Sequence, residues 1–158
     1  MSSPPSTIGN PAGRGASGHQ SERVAFGRLW WVGLLVVVAT VAANAIVRII
    51  AVSLFDISPG FQPLAWGQFI AIDVTLVVGA VIVFAGVGRF ARRPIRTFTW
   101  ISVVVLVLSW LPDFGLLAAG ERLPFPGANI QSVGTLMFMH VVAAVITVGL
   151  LTTLGREK

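Results

Sequence analysis

Four stretches of the chain are apolar over the length a helix needs to cross a lipid bilayer, roughly 20 residues, and nothing else constrains the fold as much. They run over residues 29–55, 68–88, 97–119 and 132–154. A helix meets its own backbone hydrogen-bond needs inside hydrocarbon, so each stretch is read as a spanning helix. Composition points the same way. The 158 residues are 55% hydrophobic and only 11% charged, against roughly 25% charged in a soluble domain. That is too few charges to cover a water-facing surface. The expected fold is all-α, an integral membrane four-helix bundle, and the short connections favour an up-down-up-down order.

Residues 1–27 precede the bundle, and the first 21 of them are rich in Ser, Pro, Gly and Asn. They have little to bury and are expected to form a disordered tail; His19 within them reads as incidental. Residues 28–155 form the transmembrane domain. A second reading treats the first span as a cleaved signal peptide, because Arg23 and Arg28 precede an apolar run that meets Ala43-Asn44-Ala45. Against cleavage, the apolar run continues through Ile46, Val47, Ile49 and Ile50. Trp30 and Trp31 sit where interfacial anchors are placed. In the 56–67 connection, Phe61, Leu64 and Trp66 are expected to dip into the interface.

Basic residues fix an expected orientation. Arg89, Arg92, Arg93 and Arg96 crowd the connection between spans two and three, while the other two connections hold only Arg122, offset by Glu121. The positive-inside rule then puts both termini in the cytoplasm of a bacterial cell with the chain in its plasma membrane. The net charge of +5 is thereby topological, and nucleic acid is not an expected partner. The lipid bilayer is one, and a second copy or another membrane protein is a further candidate. With no cysteine, disulfides, thiolate metal sites and thiol nucleophiles are excluded.

Every span also carries something lipid does not tolerate. Thr40, Asn44 and Arg48 are four residues apart on one stripe of span one. Asp73 lies roughly 9 Å inward from the outer end of span two at 1.5 Å per residue. Asp113 sits at a similar depth in span three, and His140 about 10 Å inward on span four. An ionisable group facing lipid in mid-helix costs about 2.5–3.5 kcal/mol. These residues are therefore expected to face one another, or a watery cleft, in the outer leaflet. Arg48 is expected to pair with Asp73 or Asp113, or else to snorkel outward. One arginine against two aspartates leaves a charge that a proton on one aspartate or on His140 would balance. Pro112 lacks an N–H and deprives the Leu108 carbonyl of its helical partner, with Ser109 placed to bond nearby backbone. Ala71, Thr75 and Gly79 form a small-residue face suited to close helix packing.

Other chemistries fit less well. Ser109 and Asp113 are one turn apart on one helix, which does not suit a carboxylate behind a catalytic histidine, and no nucleophile elbow precedes the serine. Asp73, Asp113 and His140 offer three metal-ligating groups, but no two share a helix at ligand spacing. No phosphate loop or dinucleotide fingerprint is present, and no cofactor is implied.

Four pieces resemble a known family: Phe61-Gln62-Pro63-Leu64, Arg92-Arg93-Pro94, Leu108-Ser109-Trp110-Leu111-Pro112-Asp113 and Met139-His140-Val141-Val142-Ala143-Ala144. In order and spacing they look like an actinobacterial family of small four-span membrane proteins of unknown function, over roughly residues 25–155. The resemblance implies topology and transfers no catalytic residue, substrate or partner. Two functions stay open. In one, Arg48, Asp73, Asp113, His140, Asn44 and Ser109 bind a small polar ligand, a lipid headgroup or a proton. In the other, the cluster only holds the fold of an accessory protein whose helix faces bind a partner. An enzyme is the least expected reading.

Overall fold

The computed structural model describes residues 24–119 and 127–156. The N-terminal tail and the proline-bearing stretch at 120–126 lie outside the described residues. Four long helices run α1 (Leu29–Leu54), α2 (Trp66–Phe90), α3 (Pro94–Ala119) and α4 (Ile130–Leu154), with no strands among the described residues. All four are long and apolar enough to cross a membrane. The chain is a four-helix membrane bundle.

The helices exceed the apolar runs at several ends, for local reasons. α3 begins at Pro94 instead of residue 97. Proline suits a first helical position, because its missing N–H has no intrahelical role there and its φ is already helical. α2 continues through Arg89 to Phe90, where a cation complements the negative end of the helix dipole. The basic connection shrinks to residues 91–93. At the start of α4, Asn129 Oδ1 accepts from the Ser132 N–H at 2.8 Å and Ser132 Oγ accepts from the Asn129 N–H at 3.0 Å. That reciprocal cap fixes the first turn without solvent.

Polar side chains are buried among apolar ones while large apolar side chains also cover the outside, as in a bundle that faces lipid. Thr40, Asn44, Asp73, Asp113, Ser132, Thr135 and Thr147 are buried, while Leu34, Ile46, Ile82, Val104 and Phe138 are exposed. Buried residues of α1 include Leu29, Val32, Val36, Thr40 and Asn44, three or four apart as one helical face requires. Trp30 and Trp31 lie on the exposed side of the same helix.

Two apolar cores close the bundle at its ends. The proximal core, near the chain termini, gathers Val24, Val32, Val36, Val77, Phe84, Phe98 and Leu151. Phe84 and Phe98 meet edge-on with centroids 4.9 Å apart. Val24 also bridges to Arg156, tying the two described ends together, and it lies against Gly88 so closely that a Cβ there would collide. The distal core holds Ala51, Ile57, Phe61, Leu64, Phe69, Val133 and Met139. Phe61 and Leu64 are thus buried in the protein and do not dip into the interface as the sequence suggested. The short turn Gln62–Leu64 carries Pro63 and folds the connection back under the helix ends. Gly127, at φ 87°, lets the other connection press on Ser58 at the same end.

Candidate functional site

Between the two cores lies a polar layer, contributed by all four helices. Asn44 reaches from α1 to α2, and its Nδ2 donates to both carboxylate oxygens of Asp73, at 3.1 and 2.9 Å. Asn44 is wholly buried and Asp73 nearly so. The pair holds two helices together at the depth where lipid offers the carboxylate nothing.

The other carboxylate is held differently. Asp113 on α3 is only 2% exposed. Its Oδ2 lies 3.5 Å from His140 Nδ1 on α4, too long and poorly aligned for a hydrogen bond, so this buried oxygen has no hydrogen-bond partner among the described residues. His140 Nδ1 instead engages the Leu136 carbonyl at 2.9 Å. A carbonyl only accepts, which assigns the proton to Nδ1 and leaves Nε2 of the neutral ring as an acceptor. Ser109 turns its hydroxyl to the Leu106 carbonyl at 2.7 Å and makes no bond to Asp113 or His140. Its local backbone bond fits the expectation for a serine beside Pro112, and Pro112 lies inside α3.

Arg48 corrects the sequence reading. It pairs with neither aspartate. Its Nε donates to the Leu64 carbonyl at 2.6 Å, and its guanidinium lies over the Trp66 ring, 4.3 Å from the centroid. Trp66 is the partner that sequence reasoning missed. A basic residue about two turns before an aromatic-bearing connection was the available signal. The physical cause is the turn at 62–64, which presents a backbone carbonyl within reach of the long arginine side chain, with an aromatic face beside it.

Asp73, Ser109, Asp113 and His140 line one distal cavity of about 230 Å³, walled by Phe69, Met139 and Pro63 among others. Asp73, Ser109 and His140 also form the end of a second, apolar cavity of about 310 Å³ running between α2, α3 and α4. The small-residue face of α2 does not receive a helix as expected. Thr75 and Gly79 border this second cavity instead, and a Cβ on Gly79 would meet nothing within 4 Å. Among the described residues no group of three His, Cys, Asp or Glu is placed to hold a metal ion.

The sequence profile of a family of unknown function, DUF6069, matches residues 24–157. The chain belongs to that family. The DUF6069 match spans all four helices and the whole polar layer. No curated protein and no solved structure matches the chain. Membership in DUF6069 brings no activity with it.

Proposed function

We propose that this membrane protein binds a proton or a small polar ligand that carries hydrogen-bond donors, at the layer formed by Asp73, Asp113 and His140 with Asn44 and Ser109 around them. The observation that carries this reading is the unpartnered, buried Asp113 carboxylate at the wall of a cavity. Hydrogen-bond inventory supports it. The side-chain donors lining the distal cavity are already engaged, Ser109 Oγ by Leu106 and His140 Nδ1 by Leu136; the unpartnered Trp110 Nε1 and Thr40 Oγ1 lie outside that lining. What the cavity lining leaves over is acceptors, which suit a proton, a cation or an N–H donor and disfavour phosphate or another anion.

In the orientation the arginines favour, Arg28, Arg89, Arg92, Arg93, Arg96 and Arg156 face the cytoplasm and the distal cavity lies in the outer leaflet of a bacterial cell membrane. A second reading, in which the layer is purely structural, draws support from the Asn44–Asp73 pair, whose two hydrogen bonds are ordinary helix-to-helix glue.

The test is thermal stability of the purified protein in detergent between about pH 5 and pH 8, the range that brackets an ordinary histidine side chain. The titratable groups lining the distal cavity are Asp73, Asp113 and His140, with Arg48 turned away to Leu64. Wild type is expected to change stability across that range and Asp113→Asn to flatten the profile while keeping the fold. A strongly destabilised Asp113→Asn at neutral pH, or parallel profiles for the two proteins, would move the assignment to the structural reading.

A further inference from the structure

The two cavities share three lining residues but differ sharply in character. The distal one holds both carboxylates and His140. The other is walled almost wholly by apolar side chains, from Leu76 to Val83 on α2, Phe98 to Leu106 on α3 and Ala143 to Val148 on α4. Between Asp73 and Val83, or Ser109 and Phe98, it follows the helices for about 15 Å at 1.5 Å per residue. Leu76, Val83 and Val105 border it and are 46%, 40% and 52% exposed on the bundle surface. The chamber therefore opens sideways, toward lipid, and an apolar chain has a route in that does not cross water.

We propose that the occupant is a single-chain amphiphile with a cationic, amine-type head. The head lies in the distal cavity between Asp73 and Asp113, and the chain runs past Ser109 and His140 into the apolar chamber. This rests on the reading of the polar layer given above and names its ligand class. Charge favours this occupant: one ammonium offsets one of the two carboxylates, and Asp73 already has its two hydrogen bonds from Asn44. Donor count points the same way, since an ammonium brings three N–H groups to a cavity whose lining donors, Ser109 Oγ and His140 Nδ1, are engaged. A phosphate or carboxylate head would meet like charge, with both lining donors already engaged. An apolar molecule without a head would leave the Asp113 oxygen unpartnered.

The experiment uses the full chain in nanodiscs of neutral phosphatidylcholine, with thermal shift and titration calorimetry as readouts. The probes are decylamine, propylamine, decanol and decanoate. Decylamine is expected to stabilise the wild type and to bind at least about tenfold more tightly than propylamine, each apolar carbon adding to the chamber's share. Decanol and decanoate are expected to give no comparable shift. Asp113→Asn should weaken decylamine about tenfold. Gly79→Leu, which fills the chamber from a position with open space around it, should bring decylamine down to the level of propylamine. The chain-length series on the wild type carries the test even if that variant does not fold. Equal shifts with decanol or decanoate overturn the proposal. If propylamine binds as tightly as decylamine and still needs Asp113, the chamber has no part, and the polar-layer reading stands alone. If no amine binds while the pH profile still depends on Asp113, the amphiphile fails and the proton remains. If nothing depends on Asp113, both readings fall.

Discussion

The two carboxylates of the polar layer are both buried, and both lie on helices that face lipid on their other side, yet they are treated in opposite ways. On the α1–α2 side, Asp73 receives two hydrogen bonds from a wholly buried asparagine. On the α3–α4 side, Asp113 has one imidazole at 3.5 Å and an oxygen with no hydrogen-bond partner among the described residues. A carboxylate kept only for helix association would be expected to look like Asp73. The difference is between a carboxylate that the protein serves with a donor of its own and one that it does not, although Asn44 Oδ1 beside Asp73 is also buried without a partner among the described residues.

The largest test of that contrast is Asn44→Leu. It strips both bonds from Asp73 and leaves a buried carboxylate unserved, with an expected loss of about 2–3 kcal/mol. Unfolding in a denaturing detergent titration measures it. Adding Asp73→Leu should recover most of the loss, because removing both partners of a buried polar pair costs far less than removing one. A harmless Asn44→Leu would erase the distinction between the two sides.

Arg48→Gln comes next. It removes the guanidinium from the Leu64 carbonyl and the Trp66 face, for an expected cost of about 1–2 kcal/mol in the same titration. Because Arg48 touches neither carboxylate, the variant should keep the wild-type pH profile. A lost profile would return Arg48 to the cluster. The smallest expected effect is that of Asp113→Asn at neutral pH, within about 1 kcal/mol of wild type and in either direction, since functional groups are often held at some expense in stability. A loss as large as that of Asn44→Leu would make the two carboxylates equivalent after all.

The helices and the polar positions were legible in the sequence because both rest on one-dimensional signals: run length, and a charge where hydrocarbon should be. Rotation and side-chain reach were not. Thr40, Asn44 and Arg48 share a stripe, and the first two are wholly buried as that predicts. Each step of four residues, however, turns the stripe by about 40°, and Arg48 is drawn aside by a backbone carbonyl whose position depends on how the 62–64 turn folds back. The Asn44–Asp73 pair also escaped, because a sequence ranks an arginine above an asparagine as a partner for an aspartate. Geometry reverses that order when the asparagine is short, buried and already pointing inward. The small-residue face of α2 was visible as a pattern, but its meaning turned on whether a neighbour fills the space beside it, which only three-dimensional packing decides.

All four helices are 25 or 26 residues long, or about 38 Å at 1.5 Å per residue, against a hydrocarbon layer of about 30 Å. The rods are matched to one another more closely than to the bilayer. The proximal core with its Val24–Arg156 bridge fastens them at one end and the distal core fastens them at the other. A change in bilayer thickness therefore has to be absorbed by tilting the bundle as a unit or by deforming the lipid around it. Sliding one helix alone would shear the contacts from Asn44 to Asp73 and from Asp113 to His140, which cross between helices at a shared depth. The spacing of the two carboxylates is in this way insulated from the thickness of the surrounding membrane.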